Sequence, residues 1–385
     1  MKMASSVKRV LIYRLGSLGD TVVALPALHL VARAFPQAER RMLTNFPVNV
    51  KAPAAAVVLG ENGLVDGYFR YTAGTRSPRA LLALWWTLIR WRPQVLVYLG
   101  AARGVESAQR DSTFFKICGI RKQIGVPLTE AMQRNLPQGG DPANLEPEAE
   151  RLCRNIAELG DAKIGTQAAW DLGLTDAEHK AAKLALQPAG AAPILAVSVG
   201  TKVQSKDWGA ENWRGLLARL GSLYPGYALA LMGAPEESAA SEAAAEGWRE
   251  TAGAGAAGLG AAGSRYAGSG TAGSRYAGLG AIVINLCGKL TPRESAAAFA
   301  RAKVFLGHDS GPMHLAATVG TPCVAIFAAR NIPRVWYPYG AQHRVVYHAV
   351  NCMGCGLETC IVEAKKCLTS ITVDEVADQV RTLLR

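Results

Sequence analysis

The stretch Asp309-Ser310-Gly311-Pro312-Met313-His314-Leu315-Ala316-Ala317 constrains the fold most, because it joins a strand to a helix through a glycine turn. The apolar run 302–306 supplies the strand, and Gly311 frees the backbone for the turn. The N–H groups within residues 310–314, Pro312 excepted, then point outward at a helix N-terminus, which is a place to hold an anion. His314 falls one turn in, beside whatever binds there. The same residues also fit a plain strand–helix connection, with Asp309 or Ser310 as the cap and His314 as a satisfied core histidine.

A second segment repeats the pattern. Arg9-Val10-Leu11-Ile12-Tyr13-Arg14-Leu15-Gly16-Ser17-Leu18-Gly19-Asp20-Thr21 reads as strand, glycine loop and helix start, followed by an apolar-rich helix over 22–35 that closes at Pro36. Asp20 thus lies at the carboxyl end of a first strand, where open α/β sheets bind their ligands. The loop lacks the third glycine of G-x-G-x-x-G, and no acidic residue ends a second strand at 41–45. A dinucleotide site is therefore disfavoured, and without G-K-[ST] the loop is no P-loop either.

Short apolar runs alternate with amphipathic helices along the whole chain, the pattern of α/β layers. Strands are expected at 10–15, 41–45, 95–99 and 123–126, and again at 193–199, 227–232, 302–306 and 323–327. Residues 127–150, rich in Pro, Gly, Gln and Asn, read as loop near the first domain's edge. Helices are expected at 147–159, from Thr175-Asp176-Ala177-Glu178 onward, at 211–223, near 236–250 and at 373–384, with the hinge between domains at 165–190. Between 252 and 281 the pattern gives way to Gly, Ala and Ser in a ten-residue tandem repeat carrying Arg265-Tyr266 and Arg275-Tyr276. Such a stretch offers little side chain to bury and reads as a flexible surface insertion.

A chain of 385 residues has room for two domains, each with its own core. Its net charge of +12 calls for an acidic partner. The basic residues are scattered without a nucleic-acid motif, so a nucleotide diphosphate, a phosphorylated glycolipid or an anionic membrane surface is expected rather than nucleic acid. The apolar run 81–89 is stopped by Arg90 and Arg92 well short of a membrane span, and no export signal is recognisable. A cytoplasmic enzyme is the expectation, in peripheral contact at most with the cytoplasmic face of the inner membrane. Eight cysteines in such a chain argue against a disulfide framework. Cys352, Cys355, Cys360 and Cys367 are clustered, and the first pair has zinc-ligand spacing, whereas the later spacings are irregular. A structural zinc cluster and reduced thiols both remain open.

Together with Thr201-Lys202-Val203-Gln204-Ser205-Lys206-Asp207-Trp208, Gly233-Ala234-Pro235-Glu236-Glu237 and Trp336-Tyr337-Pro338-Tyr339-Gly340, the two glycine-turn segments make the chain resemble glycosyltransferase family 9, the ADP-heptose:lipopolysaccharide heptosyltransferases and their relatives. The resemblance implies an α/β fold of GT-B type, two Rossmann-like domains facing each other across a cleft. Residues 1–170 would bind the acceptor and residues 171–370 the nucleotide sugar. A closing helix within 371–385 would pack back on the first domain. The implied reaction moves a sugar, foremost a heptose from ADP-heptose, to a lipopolysaccharide-type or other glycan acceptor, with inversion and with no catalytic metal or other cofactor.

Residue by residue, the resemblance makes Asp20 the general base and lays Lys206 on the diphosphate. Thr201, Ser310 and Gly311 complete the phosphate cradle, although Pro312 has no N–H to give. Glu237 is aimed at the ribose, with Glu236 an adjacent candidate, and Asp309 and His314 bind the donor sugar or phosphate. Gly19, Arg103, Arg110 and Lys116 belong to the acceptor side. His308 departs from the family's usual apolar residue and reads as a solvent-exposed turn residue. An oxidoreductase on the same scaffold is disfavoured by the missing dinucleotide signature. A non-catalytic nucleotide-sugar or metal-binding protein is the remaining alternative.

Overall fold

The computed structural model describes residues 6–45, 55–71, 77–258 and 281–385. They fall into two compact units, Met1–Leu174 with Pro333–Trp336, and Thr175–Ile332 with Tyr337–Arg385.

The first unit is built on a five-stranded parallel sheet: β1 (Arg9–Tyr13), β2 (Glu39–Asn45), β3 (Gly67–Tyr71), β4 (Val95–Tyr98) and β5 (Lys122–Ile124), ordered β3-β2-β1-β4-β5. Leu11 of β1 pairs with Arg41 on one side and with Leu96 on the other. Central strands of such a sheet are covered on both faces, which is why Val10–Tyr13 and Val95–Tyr98 are apolar throughout and buried. The connections carry α1 (Leu18–Val23), α2 (Leu25–Ala34), α3 (Ala55–Leu59), α4 (Pro78–Trp91) and α5 (Val105–Ile117). The helix expected over 22–35 is two helices. Pro26 stands at the start of α2 and cannot donate to the preceding turn, so the helix breaks at Ala24. The segment 127–150 holds a short helix α6 (Glu130–Gln133) and an antiparallel hairpin, β6 (Pro137–Gln138) with β7 (Asp141–Leu145), before α7 (Glu148–Asn155).

The second unit holds α8 (Asp176–Ala185), opened by the Thr175/Glu178 capping box, and a six-stranded parallel sheet. Its strands are β8 (Ile194–Ser198), β9 (Ala228–Leu231), β10 (Val283–Asn285), β11 (Val304–His308), β12 (Cys323–Phe327) and β13 (Arg344–Tyr347), ordered β10-β9-β8-β11-β12-β13. Leu195 pairs with Val304 and Leu229. Helices α9 (Ala210–Leu223), α10 (Ser238–Gly258), α11 (Pro292–Phe299), α12 (Gly311–Thr318), α13 (Lys366–Thr369) and α14 (Val373–Leu383) cover it. Trp208, Trp213 and Trp248 are buried in its core.

The closing helix α14 puts Val376, Ala377 and Val380 into the core of the second unit. The Gly/Ala-rich insertion was expected to begin at 252, but α10 continues to Gly258, carried by its alanines. The remainder of that expectation, residues 259–280, lies outside the described residues.

Candidate functional site

In the first unit the strand order reverses between β1 and β4, so the loops leaving their carboxyl ends border a switch point. Asp20 stands in the first turn of α1 beside it. Its Oδ2 accepts from the Ser17 N–H at 2.7 Å and the Ser17 hydroxyl at 2.9 Å, so the carboxylate caps its own helix. Its Oδ1 lies 3.5 Å from Arg14 Nη2, and the side chain remains 25% exposed, enough to present an oxygen to a ligand as well. Arg14 is buried and donates to the Asp20 carbonyl at 3.1 Å and to the Leu99 carbonyl at 2.7 Å, tying the β1 loop to the end of β4. Burial pulls its guanidinium below the usual value, and Asp20 opposes that pull. A Cβ on Gly16 would meet the Asp20 side chain at 2.4 Å, and its φ of +142° is unfavourable for other residues. Arg14 and Gly16 therefore position the carboxylate, a role that sequence reading did not assign to either.

Of the acceptor-side candidates, Gly19 is buried inside α1. Arg103 sits over the strand ends, donating to Tyr13 Oη and Tyr98 Oη at 3.1 Å each and pairing with Asp111. Arg110 is on the outer surface of α5, bonded to Ser107 Oγ at 3.0 Å and lining a shallow hollow with Phe114 and Ile117. Lys116 is at the far end of α5. That helix leads to β5, whose first residue Lys122 pairs with Val95 at the start of β4, so Lys116 lies near the amino ends of the strands. The crossover that brings Arg103 to the switch point carries Lys116 away from it.

The second unit repeats the arrangement, with its switch point between β8 and β11. Lys206, in the loop after β8, is paired with Asp309 Oδ2 at 2.7 Å and donates to the Asp309 carbonyl at 3.0 Å. Asn331 Nδ2 also donates to Asp309 Oδ2, at 2.9 Å. Lys206, expected on the diphosphate, and Asp309, expected on the donor sugar or phosphate, contact each other. Asp309 leads directly into α12, whose N-cap Ser310 makes no side-chain cap bond and leaves its buried hydroxyl without a hydrogen-bond partner. The first turn of α12 thus has no protein acceptor from its cap residue, the condition under which a helix N-terminus takes an anion. His314 is buried in the next turn. Thr201 Oγ1 accepts from Val203 N–H at 3.4 Å, at the weak end of hydrogen bonding, and shapes the start of the Lys206 loop.

Glu237 is distinguished from Glu236 by packing. Its carboxylate accepts from Ala234 N–H at 2.9 Å and lies over the ends of β8 and β9. A Cβ on Gly200 would come 2.0 Å from Glu237 Cδ, and one on Gly233 would come 2.4 Å from Oε2. Both glycines are small because an acid occupies that space. Glu236 is exposed.

His308 corrects the expectation of an exposed turn residue. It ends β11 fully buried, its Nε2 accepting from Trp208 N–H at 3.1 Å and from Trp213 Nε1 at 3.3 Å. With Nε2 an acceptor, the ring proton of the neutral form belongs on Nδ1, on the Gly200 side. Burial lowers the His308 pKa to about 4, and does the same for His343, which accepts from Cys323 N–H at 3.1 Å. The unfolded chain takes up these protons below about pH 6.5 and the native protein only near pH 4, so stability is complete above the first value and falls as pH drops between them. The loss is on the order of 3 kcal/mol per histidine. Chemical denaturation from pH 7 to 4.5 is expected to show this decline and a shallower one in His308→Gln; equal slopes would contradict the assignment.

The cysteine-rich segment braces the Lys206 loop. The Ser205 N–H donates to the Glu358 carbonyl at 3.0 Å and its hydroxyl to the Leu357 carbonyl at 2.6 Å. Cys360 N–H donates to Gln204 Oε1, and Lys365 Nζ to the Asp207 carbonyl, each at 3.0 Å. Cys352, Cys355, Cys360 and Cys367 line one cavity of about 20 Å³. Cys360 Sγ accepts from Lys365 N–H at 3.2 Å, and backbone N–H groups pull its thiol below the usual value. Among the described residues no group of three or more His, Cys, Asp or Glu side chains is placed to hold a metal ion, and no helix is long and apolar enough to cross a membrane.

Two Rossmann-like units, each gathering polar side chains at its switch point, define the GT-B class. The model of glycosyltransferase family 9 (heptosyltransferase) matches residues 112–268 and 262–366. The chain belongs to that family. It is 31% identical over 103 residues to lipooligosaccharide heptosyltransferase 2 of Campylobacter jejuni subsp. jejuni serotype O:2, an alignment covering 27% of this chain and 32% of that protein, so it spans about a third of that relative. The fold is similar to that of a family 9 glycosyl transferase from Veillonella parvula DSM 2008, at 18% identity and TM-score 0.66 over 98% of this chain and 97% of that one. It is also similar to E. coli ADP-heptose lps heptosyltransferase II, at 17% identity and TM-score 0.59 over 98% of both chains. E. coli heptosyltransferase WaaC with ADP-2-deoxy-2-fluoro heptose matches at 18% identity and TM-score 0.57, over 97% of this chain and 99% of that one.

Proposed function

We propose that the protein transfers a heptosyl group from ADP-heptose to a lipopolysaccharide-type acceptor, by direct displacement with inversion and without a catalytic metal. The acceptor hydroxyl attacks the anomeric carbon, its proton passes to Asp20, and the bond to the diphosphate breaks. Charge developing on the leaving phosphate is received by Lys206 and the N-terminus of α12, with Thr201 and the Ser310 hydroxyl completing the cradle. Glu237 takes the ribose hydroxyls, while Asp309 and His314 hold the donor sugar or phosphate. Arg103 meets acidic groups of the acceptor. The observation that carries this reading is the buried Lys206–Asp309 pair leading into an α12 whose cap residue leaves its first turn uncapped. Similarity to proteins whose names specify heptosyl transfer and ADP-heptose supports the choice of donor.

A thermal-shift panel of ADP, GDP, UDP and dTDP, each with excess EDTA, tests the nucleotide. ADP is expected to raise the melting temperature most, and the shift is expected to survive chelation. A preference for another base, or dependence on a divalent ion, would contradict the reading.

A further inference from the structure

The apolar run that stops short of a membrane span becomes α4, and its packing is unusual for a surface helix. Leu84, Leu88 and Trp91, at helical spacing, face the core and are buried. The opposite face should be polar, yet Leu82 is 62% and Trp86 55% exposed. The charges along this helix are of one sign: Arg79, Arg90 and the following Arg92 are all exposed, and residues 78–92 contain no acid. The neighbouring end of α5 continues the surface. Trp85 Nε1 donates to the Ile117 carbonyl at 3.4 Å, Ile117 itself is 64% exposed, and Lys116, Arg121 and Lys122 are exposed around it. The acids packed nearest are already engaged: Glu39 with Arg9, Arg41 and Trp91 Nε1, and Asp111 with Arg103 and Tyr98 Oη. Glu106 is at the opposite end of α5.

A helix lying flat, with leucine and tryptophan outermost and arginines at its margins, has the make-up of an interfacial membrane helix. Basic side chains meet lipid phosphate, and the indole sits at headgroup depth. The apolar side chains would gain from burial against any partner, but the one-signed row of arginines and lysines around them matches a surface whose charge is uniformly negative, as lipid phosphates are. A bilayer satisfies both.

We propose that the outer face of α4, together with the end of α5, rests on an anionic bilayer, with Leu82, Trp86 and Ile117 in the headgroup region and Arg79, Arg90, Arg92, Lys116 and Arg121 on lipid phosphates. This also gives Lys116 a role, at a place remote from the switch point. The inference does not depend on the transfer reaction, because it is measured without donor or acceptor. Its failure would leave the proposed function standing.

Full-length protein is mixed with vesicles of phosphatidylcholine alone, or of phosphatidylcholine with phosphatidylglycerol, and the bound fraction is read after flotation. Binding to the anionic vesicles is expected to exceed binding to the neutral ones by roughly tenfold or more and to fall as salt is raised. Leu82→Ser with Trp86→Ser, both exposed and outside the core, is expected to lower binding to anionic vesicles by about tenfold, and so is Arg79→Gln with Arg90→Gln. Lys180→Gln with Lys183→Gln, on α8 of the second unit, is the control for the overall positive charge and is expected to change nothing. Equal binding to neutral vesicles, no binding at all, or an equal loss in the α8 variant would overturn the proposal. Undiminished binding of the Leu82/Trp86 variant would do so as well.

Discussion

Asp20→Asn is expected to lower turnover by about 10² to 10⁴-fold while leaving ADP affinity within a factor of about two. The substitution keeps the size of the side chain, and an amide oxygen can still accept from the Ser17 N–H, so the cap on α1 is largely preserved, as are the bonds from Arg14 to the Asp20 main-chain carbonyl. What is lost is the capacity to take a proton, together with the carboxylate charge that faces Arg14 Nη2. The geometry makes this a sharp test, because the carboxylate has a structural duty as well: two of its bonds go to Ser17. If capping were its whole contribution, the variant would lose at most about 1 kcal/mol of stability and keep its rate. Melting temperature and single-turnover rate measured on the same preparation separate the two. Near-full turnover would assign Asp20 to the helix alone.

Lys206→Ala is expected to weaken ADP binding by tenfold or more, taking a charge-assisted contact at about 1.5–3 kcal/mol. It should also destabilise the second unit, which its direct pairing with Asp309 adds to the prediction. Lys206 is 16% and Asp309 7% exposed at the side chain, so the substitution leaves a carboxylate buried with Asn331 as its remaining side-chain donor. Removing one partner of a buried pair costs about 3–5 kcal/mol. The double variant Lys206→Ala/Asp309→Asn removes the stranded charge and is expected to recover most of the stability without recovering the affinity. Calorimetry with ADP and denaturant unfolding of all three proteins check this. Affinity restored by the second substitution would mean that the lysine merely neutralises Asp309.

Both glycine-turn segments were legible because each is a local signal, an apolar run followed by glycine and a helix former, and local signals survive without a fold. Asp20, Lys206, Asp309 and the α12 N-terminus were proposed that way, or through the family resemblance those segments carry. The connections among them were not. Lys206 and Asp309 are 103 residues apart, and nothing near either residue announces the other. Arg14 looked like an arginine stranded in an apolar strand, when its bonds to the Asp20 and Leu99 carbonyls are what a buried guanidinium needs. His308 looked exposed because it follows a strand and precedes an aspartate. Its partners, Trp208 and Trp213, come from a different loop and helix. The edge strands β3 and β13, Gly-Tyr-Phe-Arg-Tyr and Arg-Val-Val-Tyr, were missed for a related reason: with an arginine in each and one side unpaired, they lack the continuous apolar run of a central strand. The division between the units, at Leu174 and Thr175, coincides with a capping box that was readable as a helix start.

The most direct test of the central claim is transfer itself. Purified protein is incubated with ADP-heptose and a deacylated lipopolysaccharide-core acceptor in excess EDTA, and the acceptor is read by mass spectrometry and its new linkage by NMR. The account predicts a gain of one heptosyl unit, stoichiometric release of ADP, an anomeric configuration opposite to that of the donor, and loss of all three signals in Asp20→Asn. Transfer with retained configuration, or ADP release with no sugar on any acceptor of this class, would contradict it.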